Sequence, residues 1–364
     1  MADIVISGYH GFANSGDEAL LFAILNTLRK KRPSLSITVL SKTPEETTRN
    51  YNVHSVSRYN FFKIRREMRQ SRMLLFGGGS LLQDATSSHS ILYYLAVIYL
   101  AKRCGLKIIL YANGIGPITK KRNRFLTSRI LNQVDVITLR DDKSDEEVKS
   151  LGITRPHVTI TADPAFTLDA SVNLSGKFFT NMAGVPQNTR LCVVSIRQWK
   201  DAAPDFVDEM AKLCDDMVRT HHLYPLFVPM QYPADLEIAE QVMGKMQEAS
   251  YRISRELSVA EMFSVLSEGE VLIGMRLHSL IYATTLSIPA MALVYDPKIS
   301  AFMESLHQPD LISVSSFSFE KAKAVLCNIL EEQEERRETL RKANGLLRQM
   351  AEENARYALE LLDS

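Results

Sequence analysis

The sequence offers a small set of polar side chains at places where chain direction changes from extended to helical. The most suggestive run is Ile273-Gly274-Met275-Arg276-Leu277-His278-Ser279, where an apolar strand passes through glycine into a helix that begins beside an arginine and a histidine. A histidine there can donate or accept a proton near neutrality. The helix start itself attracts negative charge through its free N–H groups. The next apolar strand ends Val294-Tyr295-Asp296-Pro297-Lys298 and brings a lysine to the neighbouring loop. Arg276, His278 and Lys298 are therefore expected to converge on one anionic ligand, with Gly274 and Ser279 lining it. Ser195-Ile196-Arg197 and Val228-Pro229-Met230-Gln231 close two further strands with polar side chains and make Arg197 and Gln231 candidates for the same ligand.

The first half carries a matching series. Gly8-Tyr9-His10-Gly11-Phe12-Ala13-Asn14-Ser15-Gly16-Asp17-Glu18, Gly77-Gly78-Gly79-Ser80 and Asn113-Gly114-Ile115-Gly116-Pro117 are three glycine turns at successive strand ends. They permit backbone approach that a Cβ would block, and they nominate Gly8, Asn14, Asp17, Gly78, Gly79, Asn113 and Gly114 as substrate contacts. Asp17 and Glu18 have a second reading as acidic residues complementing a helix dipole. Thr138-Leu139-Arg140-Asp141 places a planar guanidinium at a strand end, suited to a carboxylate or phosphate. Neighbouring acidic residues could instead take Arg140 as an ion-pair partner. Thr161-Ala162-Asp163-Pro164 adds a carboxylate, or a turn cap, at the next. The glycine spacing is not GxGxxG and no Lys-Ser/Thr of a P-loop follows, which disfavours NAD or ATP. No Ser-His-Asp order, HExxH or clustered Cys/His spacing appears, and no metal is expected.

The elements that must hold these residues are parallel sheets built from βαβ units. Strands are expected at 3–7, 36–40, 73–76, 107–111, 135–139 and 158–161, then again at 191–196, 224–228, 270–273 and 290–295. Helices are expected at 205–219, 233–247, 259–266 and 277–286. Residues 168–190, with two glycines, a proline and little periodicity, read as a linker. A chain of 364 residues exceeds what one core usually organises. The expected organisation is an amino-terminal Rossmann-like domain over 1–175 (acceptor side), a second over 176–330 (donor side), and amphipathic helices over 331–364 packing back on the body. The fold class is α/β, with two Rossmann-like domains facing a central cleft, since ligands of such folds lie at the carboxyl ends of the strands.

Composition sets limits. With 46% apolar and 23% charged residues the chain reads as an ordinary globular protein, and a net charge of +1 gives no overall attraction for nucleic acid. Lys63-Ile64-Arg65-Arg66 and Lys120-Lys121-Arg122-Asn123-Arg124 read as solvated helix faces, or as stretches that attract an anionic surface. Four dispersed cysteines suit a reducing compartment. The first residues enter a strand without a signal-peptide pattern, and the longest apolar run, 91–100, has ten residues where a spanning helix needs about twenty. A cytoplasmic location is expected.

Taken together, Gly8-Tyr9 with Asn14-Ser15-Gly16-Asp17-Glu18-Ala19, Gly77-Gly78-Gly79-Ser80, Gly114-Ile115-Gly116-Pro117, Arg140, Asp163-Pro164-Ala165, Gly274-Met275-Arg276-Leu277-His278 and Tyr295-Asp296-Pro297-Lys298 resemble the polysaccharide pyruvyl transferases, specifically the CsaB-type enzymes. The resemblance covers the first strand to about residue 310. It implies a glycosyltransferase-B-like fold, phosphoenolpyruvate as donor and co-substrate with no other cofactor, and a lipid-diphosphate-linked acceptor containing N-acetylmannosamine. It further implies a 4,6-pyruvate ketal product that supports surface-layer protein anchoring. By resemblance, His278 is the catalytic acid, Arg140 the donor-orienting arginine and Lys298 the essential lysine. A lipid carrier also implies peripheral contact with the inner face of the membrane. Two rivals share these residues: a nucleotide-sugar-dependent glycosyltransferase of the same fold, and a non-catalytic precursor-binding scaffold that uses its carboxy-terminal helices for assembly.

Overall fold

The computed structural model describes residues 2–84, 88–168 and 176–364. In chain order the first set of elements is β1 (Ile4–Ser7), α1 (Ser15–Lys31), β2 (Ile37–Ser41), α2 (Pro44–Tyr51), β3 (His54–Ser57), α3 (Phe61–Arg69), β4 (Met73–Gly77), α4 (Ser88–Arg103), β5 (Lys107–Asn113), α5 (Lys121–Leu131), β6 (Val136–Leu139), α6 (Asp142–Ser150) and β7 (His157–Ile160). The second set is α7 (Gly176–Met182), β8 (Arg190–Ser195), α8 (Phe206–His221), β9 (Leu223–Phe227), α9 (Leu236–Lys245), β10 (Tyr251–Arg252), α10 (Val259–Leu266), β11 (Gly269–Gly274), α11 (Leu277–Thr285), β12 (Ala290–Val294), α12 (Pro297–Ser305), β13 (Leu311–Ser313) and α13 (Phe319–Glu331). A last helix, α14, spans Gln333–Asp363.

The chain forms two compact units. The first comprises residues 1–12, 17–168 and 346–364; the second comprises 13–16 and 169–345. The first unit holds a seven-stranded sheet of order β3-β2-β1-β4-β5-β6-β7, and every pairing in it is parallel. One face is covered by α3, α4, α5 and α6 through a core that includes Ile64, Met68, Ile91, Tyr94, Ile98, Leu131 and Val148. On the other face Leu21, Ile24 and Leu28 of α1 pack beside Ala355, Ala358 and Leu362 of α14. Strands covered on both faces are continuous apolar runs, as IVIS and MLLFG are here. The second unit holds a parallel six-stranded sheet of order β10-β9-β8-β11-β12-β13.

Apolar runs located the central strands of both sheets. Three strands went unread. The edge strand β3 is HSVS, too polar to signal burial, and the edge strands β10 and β13 have only two and three residues. The expected linker contains α7, and its residues 169–175 lie outside the described ones. The carboxy-terminal amphipathic stretch is one continuous helix, α14.

Candidate active site

Each unit gathers its candidate residues at the carboxyl ends of its own strands, for the reason sketched from sequence: in a parallel sheet all the βα turns fall on one edge.

In the first unit Arg140 follows β6, with its side chain 8% exposed. Its Nη1 donates to Asp163 Oδ2 at 3.0 Å and its Nη2 to Ser80 Oγ at 2.7 Å. Asp141 Oδ2 stands 3.6 Å from Nε. Asp141 also caps α6 by accepting from the Ser144 N–H, and Asp163 accepts from the Ala165 N–H at the start of a short 3₁₀ turn. The two acids thus lock the arginine between two turn caps. A Cβ on Gly114 would lie 2.6 Å from Ser80 Oγ and 3.1 Å from Arg140 Nε, so the guanidinium occupies space that only glycine leaves open. Asn113 is fully buried, and its Nδ2 donates to the Phe76 and Tyr111 carbonyls, bracing β5 against β4. Gly78 and Gly79 adopt positive φ in the turn after β4. A Cβ on Gly79 would meet Asp17 Oδ1 at 3.3 Å.

His10, which the sequence leaves open between a ligand contact and a surface histidine, is 1% exposed, and a Cβ on Gly8 would press on its ring. Burial, then the nearby Arg58 charge, pushes its pKa down to about 3. Arg58 is itself 5% exposed, donates to the Gly8 carbonyl at 3.1 Å, and is ringed by Tyr9, Phe12, Tyr59, Tyr93 and Tyr94. Cation–π attraction of this kind substitutes for a carboxylate partner. Nothing in the spacing of these scattered aromatics marks them as one cluster.

In the second unit His278 sits in the first turn of α11. Residues 13–16 cluster with this unit, and a Cβ on Gly16 would fall 2.3 Å from His278 Nδ1, so the imidazole lies directly against that glycine. The segment is fixed by three hydrogen bonds: the Ser15 N–H to the Met230 carbonyl at 3.1 Å, Tyr282 Oη to the Ser15 carbonyl at 2.9 Å, and the Gly16 N–H to Asn14 Oδ1 at 3.1 Å. Asn14 therefore shapes the turn on which His278 rests.

Arg276 and Gln231, both expected on the ligand, meet each other. Arg276 donates from Nε and Nη2 to the two carboxylate oxygens of Asp235 at 2.8 and 2.6 Å, and from Nη2 to Gln231 Oε1 at 3.0 Å. The same carboxylate accepts from the Gln231 N–H. Its charge is thereby largely neutralised, as suits a fork that fixes geometry. Ser279 is fully buried and donates to the Arg276 carbonyl at 2.6 Å, and Gly274 is packed inside β11. Lys298, by contrast, is 43% exposed in the first turn of α12, with Asp296 Oδ2 at 3.3 Å. Arg197 stands against the paired rings of Trp199 and Tyr295, 5.6 and 5.4 Å from their centroids, and has no carboxylate partner among the described residues. The second unit therefore presents an imidazole, a helix N-terminus and two cations that can act on an anion. Among the described residues there is no cluster of side chains that could hold a metal ion.

A sequence model of the family described as polysaccharide pyruvyl transferase matches residues 14–297, most of the chain and nearly all the turns above. The chain belongs to that family. A further relative is the amylovoran biosynthesis protein AmsJ of Erwinia amylovora, 23% identical over 370 residues, spanning 85% of this chain and 87% of AmsJ. Among solved structures, a UDP-GlcNAc 2-epimerase from Neisseria meningitidis bound to UDP-GlcNAc superimposes with a TM-score of 0.65 at 11% identity, covering 100% of this chain and 99% of the epimerase. HepE from Anabaena in complex with UDP-glucose gives a TM-score of 0.65 at 9% identity over 99% of this chain and 100% of HepE. These likenesses establish the fold: this pyruvyl transferase family member is built as two Rossmann-like domains of the glycosyltransferase-B-like class. Family membership makes it a transferase acting in polysaccharide synthesis. No described helix is long and apolar enough to cross a membrane.

Proposed function

We propose that this pyruvyl transferase family member moves a pyruvyl group from phosphoenolpyruvate to a lipid-diphosphate-linked saccharide containing N-acetylmannosamine, forming a 4,6-ketal and releasing phosphate. The product would serve surface-layer protein anchoring. The observation that supports this reading best is the placement of His278: a helix-start imidazole seated on Gly16, with Arg197 and Lys298 on neighbouring strand ends of the same sheet.

In this scheme His278 protonates C3 of the enol phosphate, C2 becomes electrophilic, and an acceptor hydroxyl adds to it. A second hydroxyl then displaces phosphate and closes the ketal. Lys298 and Arg197 offset the donor's negative charge, and Arg140, whose fork is held by Asp163 and Ser80, acts as a positioning residue for the turns of its own unit. Arg276, neutralised by Asp235, acts as a positioning residue for the turn that carries His278. The test is phosphate release from phosphoenolpyruvate in the presence of a mannosaminide acceptor. Release that depends on both substrates and falls by ~10²- to 10⁴-fold in His278→Ala is expected. Wild-type release in that variant would overturn the acid assignment, and turnover of a UDP-sugar in place of phosphoenolpyruvate would overturn the reaction.

A further inference from the structure

The outer surface of the first unit carries a feature that the reaction does not use. Helices α3, α4 and α5 lie side by side on one sheet face, α4 packing against each of the other two. Together they contain ten lysines and arginines and a single acidic residue, Glu67, in a chain whose formal charge is only +1. The remainder of the chain is therefore net acidic; Lys102 and Arg124 pair with Asp135 and Glu147, and the other eight cations of these three helices make no ion pair among the described residues.

Each helix also turns an aromatic ring outward within its basic stripe. Phe62, Tyr99 and Phe125 are 91%, 49% and 62% exposed. Phe62 precedes Arg65, Arg66 and Arg69 by three, four and seven positions, and Phe125 stands between Arg122 and Arg129 at three and four. This helical spacing aligns ring and cations on one outward ridge. Exposed phenylalanine is costly in water and has no covering partner here, whereas an acyl-headgroup boundary accepts the ring while lysine and arginine reach phosphates. Single-stranded nucleic acid, which also stacks on aromatics, uses grooves that track its backbone; these rings stand on helix ridges.

We infer that the α3–α5 face docks on an anionic lipid bilayer, with Phe62, Tyr99 and Phe125 entering the headgroup boundary and the flanking arginines binding lipid phosphates. The inference gives a surface to the membrane contact that a lipid-linked acceptor implies, and it stands on the charge and the exposed rings, not on the donor or the ketal chemistry.

The test is flotation of the full chain with vesicles of phosphatidylcholine alone and of phosphatidylcholine with about one third phosphatidylglycerol. Binding only to the anionic vesicles, weakened by salt, is expected. The triple variant R65Q/R66Q/R122Q should bind them about a hundredfold more weakly, from the contribution of each basic residue near a charged surface. F62S/Y99S/F125S should keep an initial salt-sensitive encounter but lose binding by about tenfold or more, because the apolar insertion is gone. R341Q, an exposed change on α14, should bind as wild type. All substituted residues are at the surface, and unchanged thermal unfolding would show that the variants fold. Three results would overturn the inference: no difference between the vesicle types, no effect of the triple variants, or equal affinity for a single-stranded oligonucleotide that competes with the vesicles.

Discussion

At the scale of single residues, the close approach of Gly16 to His278 is the most demanding feature. A methyl group at Gly16 would fall within 2.3 Å of Nδ1, well inside contact distance, and must push the imidazole aside. Gly16→Ala is therefore expected to lower kcat by about tenfold or more while the fold persists, since small misplacements of a catalytic group are expensive. Phosphate release under saturating donor, paired with a thermal melt, checks it. His10 makes a different prediction. Its folded pKa, about 3, is below the ordinary value near 6.5. Between those limits the unfolded chain binds a proton that the folded chain refuses, so stability is full above about pH 6.5 and declines as pH falls toward 3. At pH 5 the loss from this one group is roughly 2 kcal/mol. Denaturant unfolding of wild type and His10→Gln at pH 7 and pH 5 should show the smaller decline in the variant.

At the scale of elements, the anchoring of α14 governs how Arg140 is presented. Asn354 in this helix is fully buried. Its Oδ1 accepts from Thr138 Oγ1 at 2.5 Å and Thr161 Oγ1 at 2.8 Å, and its Nδ2 donates to the Ala162 and Ala351 carbonyls at 3.0 Å each. Thr138 stands two positions before Arg140 in the chain, and Thr161 and Ala162 two and one before Asp163. Asn354→Leu removes four bonds, but both hydroxyls retain backbone acceptors at Leu110 and Leu139. A loss of about 1–3 kcal/mol is expected. Asn354→Asp should cost more, because a carboxylate would face the Ala162 carbonyl. Chemical denaturation of the two variants distinguishes these outcomes.

At the scale of the whole molecule, chain order and compact units do not coincide. The last residues of α14, from Leu346, belong to the first unit, where Ala351, Ala355, Ala358 and Leu362 are buried. Truncation after Gly345 strips cover from the β5-β6-β7 side of that sheet, where Asn354 and Tyr357 of α14 meet Thr138 and His157. It should destabilise the first unit by several kcal/mol, on the order of what large core deletions cost. Limited proteolysis should then cut within residues 17–168 while the second unit resists.

The sequence by itself determined the alternation of buried strands and helices, hence two parallel sheets, because strands covered on both faces must be apolar throughout and glycine must stand at tight βα turns. It also located the turns bearing Arg140, His278 and Lys298, since parallel strands bring all such turns to one sheet edge. It did not reveal the short or polar edge strands β3, β10 and β13, whose residues bury too little to signal themselves. Nor could local spacing tell which charges remain available. Only the tertiary structure neutralised Arg276 with Asp235, set Arg140 on Asp163 and Ser80, caged Arg58 among five rings and buried His10. Those outcomes depend on side chains brought together from distant positions, where distance and desolvation, rather than residue type, decide whether a charge meets a ligand or a neighbour.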